Sequence, residues 1–136
     1  MGSLHLEVIT PERVMVKEEV DMVEAKGALG EFGILPGHIN FLTSIVPGEL
    51  RYMRDGKTTH LATSGGFAEV VSDQVTFLLD TAEFAGEIDV RRAERAKERA
   101  ESALSAKDLS SDDKDYKVLE LALQRAIARI SAASRV

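Results

Sequence analysis

The chain has 136 residues, 44% of them hydrophobic, a net charge of −6 and no cysteine. That is enough for one ordinary domain, or a small domain with an appendage, and too apolar for a disordered chain. It excludes disulfides, iron–sulfur clusters, thiolate zinc sites and cysteine nucleophiles; no apolar run nears the roughly 20 residues that span a bilayer, and the acidic balance argues against a nucleic-acid partner.

The overall charge conceals a split. Residues 1–87 hold 6 Lys/Arg against 14 Asp/Glu, whereas residues 88–136 hold 11 against 9. All ten glycines, all three prolines and all five phenylalanines precede Ile88, while ten of the sixteen alanines follow it. Glycine and proline punctuate turns, and alanine is the best helix former. A turn-rich β domain over 1–87 and a helical domain over 88–136 follow, joined directly at Ala85-Gly86-Glu87.

The first part reads as short strands. Leu4–Val8 alternates apolar and polar residues, the pattern of a half-buried strand. Thr10-Pro11-Glu12 is a turn. Val14, Val16, Val20, Met22 and Val23 supply two more strands, with a bend expected at Lys17-Glu18-Glu19. Gly27–Gly33 reads as an irregular connection needing positive φ. Val46-Pro47-Gly48-Glu49 turns into Leu50–Met53, and Asp55-Gly56 marks a hairpin returning through Thr59–Thr63. Phe67–Val71 and Gln74–Leu79 pair across Ser72-Asp73. Turns at intervals of about ten residues predict a small antiparallel sandwich or barrel.

The tail reads as two helices. Asp89 is a good N-cap, and Ala93, Ala96, Ala100, Ala103 and Leu104 form a seam of small residues. Lys107–Ser111 breaks the pattern, with Ser110 or Ser111 able to cap the second helix. Leu119, Ala122, Leu123, Ala126, Ile127, Ile130 and Ala133 then repeat at spacings of three and four. A short connection makes the pair an antiparallel hairpin. The fold class expected is therefore α+β, a sandwich followed by a hairpin whose alanine seams bury little area.

Candidate chemistry is sparse. The Gly27–Gly33 segment is no phosphate loop, because no Lys-Ser/Thr pair follows and Pro36 blocks a helix start. His5, His38 and His60 do not share a metal-ligand spacing, and His38 reads as a residue orienting its own loop. Ser64-Gly65-Gly66 lacks the preceding glycine of a nucleophile elbow. The arginines of the tail have two readings. Arg91, Arg92, Arg95 and Arg99 suit a solvated helix face paired with Glu94, Glu98 and Glu101. Arg125 and Arg129 are neighbours one turn apart with no acid on the same stripe, a pair suited either to solvent or to a phosphate or carboxylate.

Several strings occur together: Gly30-Glu31-Phe32-Gly33-Ile34-Leu35-Pro36-Gly37-His38, then Pro47-Gly48, Ser64-Gly65-Gly66-Phe67-Ala68-Glu69-Val70, Thr81-Ala82-Glu83 and Ile88-Asp89-Val90-Arg91-Arg92-Ala93. In this order and spacing the chain closely resembles the epsilon subunits of bacterial F-type ATP synthases, over nearly its whole length. The resemblance implies a non-catalytic rotor part. Such subunits sit on the central stalk with the gamma subunit, above the ring of c subunits, peripheral to the cytoplasmic face of the bacterial plasma membrane. They couple ring rotation to ATP synthesis. Many restrain ATP hydrolysis by opening the hairpin and inserting its second helix into the alpha/beta head.

The resemblance implies roles for individual residues. Glu31 matches the acidic position of the loop that meets the c ring. His38 and Ser64, Gly65, Gly66 and Phe67 match regions near gamma. Ile88, Asp89, Arg92 and Ala93 match a motif that binds ATP in some bacterial members, where Arg99, Arg125 and Arg129 match further phosphate-facing arginines and Glu83 also contributes. No cofactor is required, and Mg-ATP is the implied regulatory ligand. The local reading stands beside this one: Asp89 caps a helix and Ala93 fills a seam with or without a nucleotide. A free-standing nucleotide-binding regulatory module is the alternative function. An enzyme on this scaffold lacks an acid–base pair.

Overall fold

The computed structural model describes residues 3–106 and 114–135. Ten strands come first: β1 (Leu4–Ile9), β2 (Val14–Val20), β3 (Met22–Gly27), β4 (Gly30–Ile34), β5 (Phe41–Ile45), β6 (Gly48–Arg54), β7 (Lys57–Thr63), β8 (Gly66–Val71), β9 (Gln74–Leu79) and β10 (Ala82–Phe84). One turn of 3-10 helix at Ala85–Glu87 leads to α1 (Val90–Ala106) and α2 (Lys114–Ala133). The strands form one sheet in the order β10-β7-β6-β3-β5-β8-β9-β1-β2, with β4 paired to β3. β2, at one end of that path, comes back against β6, so the sheet folds over itself.

Period-two patterning explains the core. Leu4, Leu6 and Val8 of β1 point inward and share one core with Leu50, Leu61, Val70, Val75 and Phe77, all fully buried. The pairs are antiparallel except β1 with β9, which run parallel from His5 opposite Gln74 to Ile9 opposite Leu78. Asp55 and Gly56 take φ of 52° and 78°, closing the β6–β7 hairpin as their sequence requires. Ser72 and Asp73 do the same between β8 and β9 without a glycine, at 48° and 65°.

Several expectations are corrected. β2 runs unbroken through Lys17–Glu19, and the chain bends at Asp21 instead, where the amide of Asp55 donates to Asp21 Oδ2. The Gly27–Gly33 segment is a β3–β4 hairpin in full register, Gly27 opposite Gly30 and Glu24 opposite Gly33, rather than an irregular connection. Only Gly30 in it has positive φ. The expected break and cap at 107–111 lie outside the described residues.

The helices fold back on one another, and α2 rather than α1 packs against β6 and β7. α2 is therefore covered on two faces, which a single seam does not anticipate. Ala126 is buried, and Ala128 and Ala132 are buried although both fall outside the predicted stripe. Ile127, expected in the seam, is 46% exposed. Ala132 joins Ala62 of β7 and Ile88 in a small apolar cluster flanked by Ala85 and Ala133.

Candidate functional site

Asp89 begins α1 as its sequence predicts. Its Oδ1 accepts from the Arg92 amide at 3.1 Å and its carbonyl from the Ala93 amide at 3.0 Å. This cap satisfies amides otherwise left unpaired in the first turn. It also fixes the helical phase. Ala93 and Ala100 turn inward, fully or almost fully buried, while Arg92 and Arg99 lie on an adjoining stripe.

That stripe borders a cavity of about 1060 Å³ between the sandwich and the hairpin. Four arginines line it: Arg92 and Arg99 from α1, Arg125 and Arg129 from α2. The sandwich contributes Glu12, Thr63, Ser64, Thr81 and Glu83, and alanines of both helices line the apolar part. Four guanidinium groups against two carboxylates leave the walls net positive. The Ser64 hydroxyl is held by backbone, accepting from the Thr81 amide at 2.9 Å. The cavity thus offers cations, hydroxyls and a flat apolar surface, without a nucleophile aligned to a base.

Arg129 differs from its neighbours. Its Nε lies 2.7 Å from Glu83 Oε1, and its second amino nitrogen donates to Oε2 at 3.2 Å. This is a two-pronged guanidinium–carboxylate pair joining residues 46 positions apart, from β10 to α2. Among the described residues Arg125 and Arg129 have no carboxylate of their own helix within ion-pair distance, as their stripe predicts, but Arg129 is not unpaired, because its partner comes from the sandwich. The pairing expected along α1 is corrected: among the described residues, Arg91, Arg92, Arg95 and Arg99 have no carboxylate within ion-pair distance.

Of the residues marked as nucleotide-binding, Glu83, Arg92, Arg99, Arg125 and Arg129 reach the cavity. Ile88, Asp89 and Ala93 are not among its lining residues. Ile88 packs beside Ala62 and Ala132, Asp89 is the cap, and Ala93 is fully buried. Thr63, Thr81 and Glu12 line the cavity without having been anticipated. They come from separate elements, and nothing local in the sequence marks them.

The other assigned residues lie elsewhere. Glu31 stands on β4 just past the hairpin turn, and Arg51 of β6 reaches it at 3.8 Å and Glu24 at 3.6 Å. His38 holds its own loop, with Nδ1 2.7 Å from the Ile39 carbonyl and its ring edge-on to Phe41. The Ser64–Phe67 string divides: Ser64 faces the cavity, whereas Phe67 is 58% exposed on β8, opposite the equally exposed Leu78.

Comparison with known proteins matches both parts. Residues 3–85 match the family described as ATP synthase, Delta/Epsilon chain, beta-sandwich domain, and residues 87–134 its long alpha-helix domain. The ATP synthase epsilon chain of Geobacter sulfurreducens is 51% identical over 133 residues, covering 98% of this chain and 95% of that one. The epsilon chain of Nitratidesulfovibrio vulgaris is 48% identical over 128 residues, 94% and 93% of the two chains. Among solved structures, a chain of the Euglena gracilis mitochondrial ATP synthase assembly of OSCP, F1 and c-ring superposes with a TM-score of 0.81 at 25% identity. That match covers 98% of this chain and 82% of the other. A chain from the Tetrahymena thermophila central stalk and c-ring shares the fold, with a TM-score of 0.65 at 13% identity over 98% and 96% of the two chains. With both domains matched in order and half the residues identical to bacterial epsilon chains, this chain belongs to the ATP synthase epsilon family, the non-catalytic stalk subunits of that complex.

Proposed function

We propose that the protein is a rotor part of a proton-translocating F-type ATP synthase at the cytoplasmic face of a bacterial plasma membrane. The sandwich docks on the gamma subunit and the c ring and carries rotation toward the catalytic head. The hairpin regulates: opened, it engages the alpha/beta head and restrains ATP hydrolysis; closed, it takes Mg-ATP as a regulatory ligand. The observation that carries this reading is the cavity, where arginines of both helices converge only because the hairpin is folded back. The triphosphate would meet Arg92, Arg99 and Arg125, with Arg129 held by Glu83 in the cavity wall. Bringing like charges together is unfavourable until an anion arrives, so a ligand bound only by the closed form shifts the balance toward it.

Other features support the docking contacts. Phe67, Leu78 and Leu42 form an exposed apolar patch on neighbouring strands, suited to gamma. Glu31, on a projecting hairpin with fully exposed Leu29 at its turn, suits the polar loops of the ring.

Calorimetry of the intact protein with Mg-ATP tests the ligand. Arg92→Ala and Arg125→Ala should each weaken binding by about 1–3 kcal/mol, the scale of a charge-assisted hydrogen bond. Absence of heat at millimolar nucleotide would remove ATP from the reading. Reconstituting the complex with and without residues 88–136 tests inhibition, which predicts faster ATP hydrolysis without them.

A further inference from the structure

A second polar cluster lies on the sheet beneath the far end of α2. Glu49 of β6 has a side chain only 11% exposed, and the Ser131 hydroxyl of α2 donates to its Oε2 at 2.9 Å. Its other oxygen, Oε1, is buried without a hydrogen bond, and so is Nδ1 of His60 on β7. These two unsatisfied atoms face each other at 3.7 Å. That gap is too long for a hydrogen bond, and both atoms are shut off from bulk solvent. Buried polar atoms left unpaired are costly, and two of them in contact across adjacent strands call for an explanation.

We propose that Glu49 and His60 form a proton-operated latch for the C-terminal end of α2. With no proton on His60 Nδ1, lone pairs oppose each other beneath the helix, and docking keeps two atoms from the water that would satisfy them. The neutral ring can make Nδ1 a donor only by moving its single hydrogen off Nε2, and the donor it then offers Glu49 is uncharged; a proton added to the ring makes both nitrogens donors. The pair then closes into a charge-assisted bond, and Glu49 holds Ser131 with both oxygens engaged. When α2 lifts away, water supplies partners to both groups and the proton matters less. Docking and protonation of His60 therefore favour each other.

The surrounding charges do not reverse this sign: Glu83 of β10, on the same face beside Ala62, is already paired with Arg129 of α2. On β6, Arg51 lies opposite His60 in the strand register but is engaged with Glu24 and Glu31. On α2, Arg135 reaches Glu49 Oε1 at 3.8 Å from a side chain 54% exposed, so solvent screens it. His60, at 17% exposed, is the more buried cation once protonated. The latch concerns the end of α2 and operates whether or not the cavity takes a nucleotide.

The chain has no cysteine, so spin labels at Lys57→Cys at the start of β7 and Ile127→Cys on the exposed face of α2 report docking in the full chain by electron–electron distance measurement. Without nucleotide, lowering the pH from about 8 to about 5.5 spans ordinary histidine titration. The ratio of docked to undocked helix should rise roughly tenfold, the effect of one charge-assisted bond. His60→Gln should abolish that rise, and Glu49→Gln, whose amide both accepts from Ser131 and donates to His60, should dock with little pH dependence. In the unmodified chain, nitrogen-15 signals of the His60 ring should titrate in step with the distance change, a readout that needs no variant to fold. A ratio constant with pH, a ratio falling in acid, or an undiminished rise in His60→Gln would overturn the latch. Failed nucleotide binding with a normal pH response would count against the ligand reading alone.

Discussion

The sandwich buries Phe77, Leu4, Leu6, Ile34, Leu50 and Leu61 completely, whereas the residues buried within the two helices are all alanines: Ala93, Ala100, Ala126, Ala128 and Ala132. Apolar burial contributes about 25 cal/mol per Å², so each position in the hairpin adds a fraction of what a core leucine or phenylalanine adds. The sandwich is consequently fixed by its core. The hairpin's place on it is fixed by directional polar contacts, Glu83 with Arg129 and Glu49 with Ser131. Small apolar contacts slide and release at little cost, and polar ones specify a single position. That combination suits the opening and closing proposed for the hairpin.

Substitutions in the two regions can break or sharpen this contrast. The largest effect is expected at Gly66. Its φ of 148° is strained for any side chain, and a Cβ there would collide with the Leu78 carbonyl. Gly66→Ala should cost on the order of 4 kcal/mol or more and be seen as loss of the cooperative melt. Phe77→Ala follows at about 3–5 kcal/mol by denaturant titration, as for a large side chain emptied from a packed core. In the hairpin, Arg129→Ala should weaken docking of α2 by about 1–3 kcal/mol. Hydrogen exchange should then rise in α2 and not in the strands. Equal rises in both would contradict the division of labour proposed here.

Asp89→Ala removes a helix cap and should cost about 1 kcal/mol of α1 stability, measured by exchange of the first-turn amides. The smallest effect lies on the sandwich surface. Hydrogen bonds from His5 and Ser3 hold the Glu19 carboxyl below the usual carboxylate range. A carboxyl depressed on folding contributes stability above its unfolded value, and that contribution fades as pH falls through the folded value. Glu19 should therefore titrate at a lower pH than an ordinary glutamate in an NMR series of the native protein, and at a higher pH in His5→Ala than in the unmodified chain.

Much of the strand pattern was legible because alternation and turn chemistry are local. Leu4–Val8, the Asp55-Gly56 hairpin and the pairing across Ser72-Asp73 all form where their residues predict. β10 was not legible, since three half-buried residues carry no period. The unbroken β2 was missed because Lys17-Glu18-Glu19 reads as a polar interruption when only its neighbours are considered. Its pairing with β1 from Leu4 opposite Val20 through Val8 opposite Val16 carries it across. In the cavity, the arginines and Glu83 were legible through family resemblance, whereas Glu12, Thr63 and Thr81 were not, being brought together from separate strands and turns.

By itself the sequence determined the two-part plan, the cap at Asp89 and the basic stripes of the helices, because periodicity, turn residues and capping act over a few positions along the chain. Tertiary structure alone decided that α2 rather than α1 meets the sheet, so that Ala128 and Ala132 are buried and Ile127 is not. It alone decided that Arg129 finds Glu83 and that Glu49 meets His60 and Ser131. A helix that must satisfy two neighbours divides its surface between them, and that division depends on where the neighbours stand. Partners 46 and 82 residues apart leave no local pattern from which it could be read.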